Sequence, residues 1–445
     1  MHRPDVKRFE SAILKVHFST SDEVGRALQK LGRTEDVKVS PDGRRIAIAG
    51  FNSDKILLVE IEQRGSGNRV KLFLKDVVEI SSKGLAYPHG LCFIGDSLLA
   101  VANREGCAPL IRLPACGLGS YSLDAPTVEV VLDERWLHSP GSVCSYATGP
   151  EQHELLICCN FANYVTRHTL DTGHGINVTA NSLLLAGGLD LPDGVAASRD
   201  GRWIAVSNHN DQTVWLYDHA ASLDTHSEPV GVLRGIAYPH GLLFTADQRF
   251  IVVADAGAPF LRIYARPGRD WHGELEPVIS LRVMSDELFA RGNHNPMEGG
   301  VKGVDLIAGT NIVVATAEHM TLEFFDLDKL FRQLSGRRGA HSVATFSDSQ
   351  RCPCGSNKAY RKCCGSARIT RPAKPTSLQA IVKAAAESLQ ANILARTERF
   401  CLQALELAPG HPQASHMLGY VYYQQCRDAE ASRLMRAAGT ATEWQ

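Results

Sequence analysis

The chain has 445 residues, of which 44% are apolar and 21% charged, with a formal net charge of −1. That length exceeds one ordinary core and predicts two or three domains. The near-neutral balance excludes a global pull toward nucleic acid or anionic lipid. No apolar run approaches the ~20 residues of a membrane helix, so neither a nucleic-acid partner nor membrane insertion is expected. Met1-His2-Arg3-Pro4-Asp5 has no apolar core behind its charges and does not read as a signal peptide.

From about residue 10 to 348 one phrase recurs: Pro-x-Gly, a short apolar strand, a turn, and a second strand ending in Asn or Asp. It is clearest at Tyr87-Pro88-His89-Gly90 with Leu98–Asn103, at Leu191-Pro192-Asp193-Gly194 with Trp203–Asn208, and at Tyr238-Pro239-His240-Gly241 with Phe250–Asp255. Weaker copies start at Glu35-Asp36-Val37, Gly141-Ser142-Val143 and Lys302-Gly303-Val304. The glycine-equivalent positions 36, 90, 142, 194, 241 and 303 are spaced by roughly 50 residues, the length of a four-stranded blade. Each unit covers its neighbour when the six are arranged about an axis. Residues 1–348 are therefore predicted to form a six-bladed β-propeller. Ala12–Phe18 is expected to join the last blade and close the ring, with His341–Phe346 as the competing segment.

The middle residue of each Pro-x-Gly begins the innermost strand and is expected to face the axis. These six are Glu35, His89, Gly141, Asp193, His240 and Lys302, with Asn103, Asn160, Asn208 and Asp255 nearby. Glu35, His89, Asp193 and His240 form the candidate channel site. Two imidazoles and two carboxylates suit a divalent metal or acid–base chemistry. The reading preferred over these is a polar lining of a water-filled channel, with the Asn and Asp side chains bracing turns. The loop Asn293–Glu298 is a further contributor from above.

The repeat resembles the NHL-type and SMP-30/gluconolactonase-like propellers. The resemblance implies the propeller fold over three quarters of the chain. For gluconolactonase-type members it also implies a metal site of one Glu, two Asn and one Asp. Only Glu35 and Asp193 match that set loosely, and histidines 89 and 240 depart from it.

There are 12 cysteines. Four cluster as Cys352-Pro353-Cys354 and Cys363-Cys364, while the others are scattered through strands, helices and loops, which fits a reducing compartment. Four thiolates satisfy the tetrahedral positions of a structural Zn²⁺, with Lys358, Arg361 and Lys362 offsetting the resulting charge. Arg351–Gly365 closely resembles the SEC-C motif, which implies a small zinc-binding module at 349–368. A Pro- and Lys-rich linker follows at 369–377. Residues 378–445 are rich in Ala, Leu, Glu and Gln and read as helices resembling tetratricopeptide (TPR) repeats. Ala404, Pro409, Leu418-Gly419, Tyr422, Ala431 and Ala438 carry that likeness.

The expected fold class is thus mainly β, with a small zinc module and a C-terminal helical segment. The expected function is a cytoplasmic, bacterial, zinc-binding interaction protein. The TPR-like helices and SEC-C module would take a protein or peptide partner, and the propeller channel a small molecule. The alternative is a metal-dependent, lactonase-like hydrolase working in the channel.

Overall fold

The structure is a computed structural model. It describes residues 7–10, 14–65, 70–105, 107–125, 127–128, 137–219, 222–292, 298–335, 378–390, 394–424 and 427–437. The chain divides into two compact units, Met1–Ser366 and Ala367–Gln445.

The first unit is mainly β, in a six-bladed propeller arrangement. The innermost strands of blades one to six are Thr34–Val39, Pro88–Ile94, Pro140–Ala147, Pro192–Ala197, Pro239–Phe244 and Val301–Leu306. Each contacts the next, and the sixth contacts the first, so the ring closes. Six apolar clusters fill the six seams between blades. In the seam of blades six and one, for example, Val314 and Phe324 pack against Ile46, Ile48 and Leu57. Burying each such side chain contributes about 1.5–3 kcal/mol.

The glycine of the repeat has a steric cause. A Cβ at Gly90 would lie 2.5 Å from Ser142 Cα of blade three, and one at Gly241 would lie 2.7 Å from the Lys302 carbonyl of blade six. Backbone meets backbone between adjacent innermost strands, and only glycine allows it there.

Blade six has three strands of its own, ending with Met320–Asp326. Residues 14–16 add the fourth. Val16 N donates to Phe324 O (2.8 Å) and Asp326 N donates to Leu14 O (2.7 Å), so the early segment closes the ring as expected. His341–Phe346 lies outside the described residues. Outer edges are covered by added parallel strands. Lys7–Glu10 lies on blade five, Phe18–Thr20 and Tyr121–Asp124 on blade one, and Gly273–Leu275 on blade four. Covered edges do not template aggregation. The helix Asp22–Leu31 starts at Ser21, whose hydroxyl accepts from Val24 N, and buries Val24, Ala27 and Leu31 against blade one.

The second unit has four described helices, Leu378–Gln390, Leu394–Leu407, Pro412–Gln424 and Asp428–Ala437, each packed on the next. Ala404 and Ala431 are buried, and a Cβ on Gly419 would come within 2.9 Å of Met435. The small residues therefore sit at close helix approaches. Ala438 and Cys426 fall outside the described residues. Among the described residues no helix is long and apolar enough to cross a membrane.

Candidate metal centre

All six innermost strands place the residue in question second, and all six carry a register shift next to it. A bulge of this kind re-aims a side chain. Here it brings Glu35, His89, Asp193, His240 and Lys302 together; Gly141 contributes its carbonyl. The side chains are not a solvated lining. Glu35, Asp193 and Lys302 are at most 1% exposed, and the two imidazoles at most 4%. The expected water-filled channel is instead a plug of meeting side chains, with room for about one water-sized occupant (≈ 10 Å³ for its centre).

The contacts fix the tautomers. His89 Nδ1 lies 2.6 Å from Gly141 O, and His240 Nδ1 lies 3.1 Å from Lys302 O. A carbonyl only accepts, so both Nδ1 atoms carry hydrogen and each neutral ring turns an Nε2 lone pair inward. His89 Nε2 accepts from Arg104 Nη2 at 2.7 Å. His240 Nε2 faces Glu35 Oε2 at 3.6 Å and Asp193 Oδ2 at 3.3 Å. His89 Nε2 also lies 3.6 Å from Glu35 Oε2. The two rings stack with centroids 5.2 Å apart.

Fixed charges surround this core. Lys302 Nζ donates to Glu35 Oε1 and to Glu298 Oε2, both at 2.9 Å, and Arg33 also bonds Glu35 Oε1. Asn160 Nδ2 (2.9 Å) and Arg104 Nη2 (3.2 Å) both reach Asp193 Oδ1. Glu35 Oε2 and His209 Nε2 are buried with no hydrogen-bond partner.

Burial alone would raise the Glu35 carboxyl, but Lys302 and Arg33 outweigh it and hold the group well below the usual carboxylate range. Burial, then the Arg104 charge, pushes His89 down to about 3, and burial lowers His240 too. Asp193 is opposed by burial yet pulled far down by His240, His89 and His209. Two neutral imidazoles and two carboxylates remain as the metal-free donor set for a divalent ion.

The donor set fits such an ion. Glu35, His89 and His240 form one group, and Asp193, His209 and His240 a second, each with ligand atoms within 4.8 Å of one another. Two ligands at ~2.1 Å from one tetrahedral ion stand ~3.4 Å apart, which matches the 3.3–3.6 Å separations. Imidazole with carboxylate suits zinc, manganese or iron.

Of the residues expected nearby, only Asn160 has a hydrogen bond into the cluster. Asn103 and Asn208 brace the loops at Gly84 and Asp190. Asp255 accepts from Ala237 N and Tyr238 N and pairs with Arg262. Glu298 joins from the upper loop, whose residues 293–297 lie outside the described ones. Arg33, Arg104 and His209 were not singled out in the sequence. The last two stand one residue beyond the second strand of blades two and four, directly after Asn103 and Asn208, and that shared position was the available signal.

Cys352, Cys354, Cys363 and Cys364 lie outside the described residues. The SEC-C motif matches residues 349–366, a span that contains all four. No curated protein matches the chain.

Proposed function

We propose that this protein is a metal-dependent small-ligand-binding propeller joined to a zinc module and a helical docking segment. One divalent ion sits on the axis, held by Glu35, His89 and His240, with Asp193 and His209 beside it. A structural zinc sits separately on the four cysteines of the SEC-C motif. The module and the helices tie the propeller to a protein partner in the cytoplasm. One observation carries the axial reading: the His240 Nε2 lone pair points at two carboxylate oxygens, one of which, Glu35 Oε2, has no hydrogen-bond partner. Three converging acceptors repel unless a cation lies among them.

The hydrolytic reading is favoured by one further contact. His209 Nε2 lies 3.6 Å from Asp193 Oδ2, an imidazole–carboxylate pair next to the proposed ion. When bound, such an ion polarises a carbonyl or acidifies a water. His209 and Asp193 are the residues of this chain placed to hold the proton that leaves it.

Metal counting on purified protein tests the proposal. Wild type is expected to carry about two ions per chain after equilibration with Zn²⁺ and Mn²⁺. Cys352→Ser with Cys354→Ser should remove the zinc, and His89→Ala with His240→Ala should remove the other ion. One ion in both wild type and the double histidine variant would refute the axial centre and leave the propeller as a metal-free platform.

A further inference from the structure

The axial cluster has an asymmetry that the metal reading leaves unexplained. Two guanidinium groups border it. Arg33 is saturated with carboxylates, since it pairs with Glu35 and Glu298 and feels Glu318 as well. Arg104 is not. Its Nη2 is shared between His89 and Asp193, and its Nη1 is buried with no partner.

Arg104 also occupies the lone pair that a metal on His89 would need. An ion cannot bind His89 Nε2 while Arg104 Nη2 donates to it at 2.7 Å. Metal binding therefore frees a second N–H on the same guanidinium. Arg104 then presents a two-pronged donor beside the ion, the geometry that recognises a carboxylate in bidentate fashion. An anion there also offsets the positive charge the ion brings.

The walls add a second property. Tyr87, Phe51, His89, Arg104 and Phe161 touch in that order. Phe51 lies 5.2 Å from Tyr87 and 5.9 Å from His89, and the Arg104 guanidinium lies 5.6 Å from the Phe161 ring. Tyr87 and Phe161 are 38% and 45% exposed and offer aromatic faces beside the Arg104 guanidinium.

We propose that the axial centre takes a small carboxylate with an aromatic or otherwise planar body. Its carboxylate is held by Arg104 beside the metal, and its plane lies against Phe161 and the Phe51–Tyr87 pair. The inference rests on the metal reading and names the ligand class of the same site.

The test uses full-length, zinc-loaded protein, Mn²⁺ as the axial ion and benzoate as the probe, with acetate for comparison, followed by calorimetry. Mn²⁺ is titrated first, alone. Benzoate is expected to bind the Mn²⁺-loaded protein at least about tenfold more tightly than it binds the Mn²⁺-free protein, and more tightly than acetate binds. Arg104→Ala should weaken benzoate about tenfold or more, the effect of losing a charged hydrogen-bonding pair. The same variant should bind Mn²⁺ at least as well as wild type, because His89 is released. Arg104→Lys keeps the charge but lacks the fork, and should resemble Arg104→Ala. Phe161→Ala should narrow the gap between benzoate and acetate. Failure of Mn²⁺ to bind would remove the metal centre and this site with it. Mn²⁺ binding with no benzoate binding, or full benzoate binding by folded Arg104→Ala and Arg104→Lys, would overturn the carboxylate site alone.

Discussion

Two buried charge clusters share the propeller axis, and they are built differently. In the axial ring, Glu35 Oε2 and His209 Nε2 have no hydrogen-bond partner and the His240 lone pair faces carboxylates. In the neighbouring cluster of Asp36, Lys38 and Asp305, every carboxylate oxygen is satisfied. Asp36 accepts from Val37 N and Leu91 N, both at 2.9 Å, and Asp305 accepts from Val39 N (2.7 Å) and Leu306 N (2.9 Å). Lys38 Nζ lies 3.1 Å from Asp36 and donates to the Val304 carbonyl. The backbone donors belong to blades one, two and six, so this second network ties blades together. Burial charge is therefore not itself a mark of a functional site here; the orphaned acceptors are.

The largest effect that separates the two clusters should come from Lys38. Burial opposes its charge, but Asp36 and Asp305 keep its pKa raised. Lys38→Met leaves both acids buried without a cation. Breaking a buried pair costs about 3–5 kcal/mol, and the 19% exposure of Lys38 places the loss near about 3. Denaturant titration should show that loss, with axial metal stoichiometry unchanged in the folded protein. His240→Gln should do the reverse, costing about 1 kcal/mol or less while abolishing the axial ion. A harmless Lys38→Met would remove the distinction between the clusters.

The clusters should also differ in how acid affects them. With His89 held near 3 and His240 lowered, both rings stay neutral in the folded, metal-free protein after the unfolded chain has begun to protonate near 6.5. The unfolded state then binds more protons, so stability is intact above about pH 6.5 and falls as pH drops toward the folded values. Each ring contributes a slope of up to about 1.4 kcal/mol per pH unit. Glu35, whose folded pKa is depressed chiefly by Lys302 and Arg33, loses its contribution only below about pH 4. Chemical denaturation in chelator at pH 7, 6, 5 and 4 checks this. His89→Gln should flatten the slope between pH 6 and 4 by up to half. An unchanged slope would mean that His89 is charged in the folded state.

Much of this arrangement was legible in the sequence because it follows from the repeat. Pro-x-Gly marks the innermost strand, its glycine marks backbone contact between blades, and the residue between them faces the axis. That placed Glu35, His89, Asp193, His240 and Lys302 correctly. Arg104 and His209 escaped because their position, just past the second strand, holds no common residue type; its counterparts are Phe51, Phe161, Ala256 and Glu318. Asp36 stands where blades two, four, five and six have glycine. That break in pattern went unread, and Lys38 and Asp305 lie at positions the repeat does not specify. The expected open channel failed for a simple reason. Polar side chains from five of the six converging strands fill a narrow axis when they can pair.

The smallest effect concerns backbone strain, which borders the ring and not the second cluster. Tyr87, Ser139 and Leu191, each directly before a repeat proline, have φ of 53°, 50° and 54°. A non-glycine residue in this left-handed region costs about 1–2 kcal/mol. Ser139 also has a buried hydroxyl with no partner. Its neighbours matter to the site, because Pro140 leads into Gly141, whose carbonyl orients His89. Ser139→Gly removes both the strain and the orphaned hydroxyl, while the added freedom of the unfolded chain takes back about 0.4–1 kcal/mol. The net expectation is a gain near about 0.5 kcal/mol, read as a small rise in denaturant midpoint with no change in slope. If the strained turn is what holds Gly141 O against His89, Mn²⁺ affinity should fall modestly in the same variant. A loss of stability would mean that the left-handed turn is held by contacts of the serine itself.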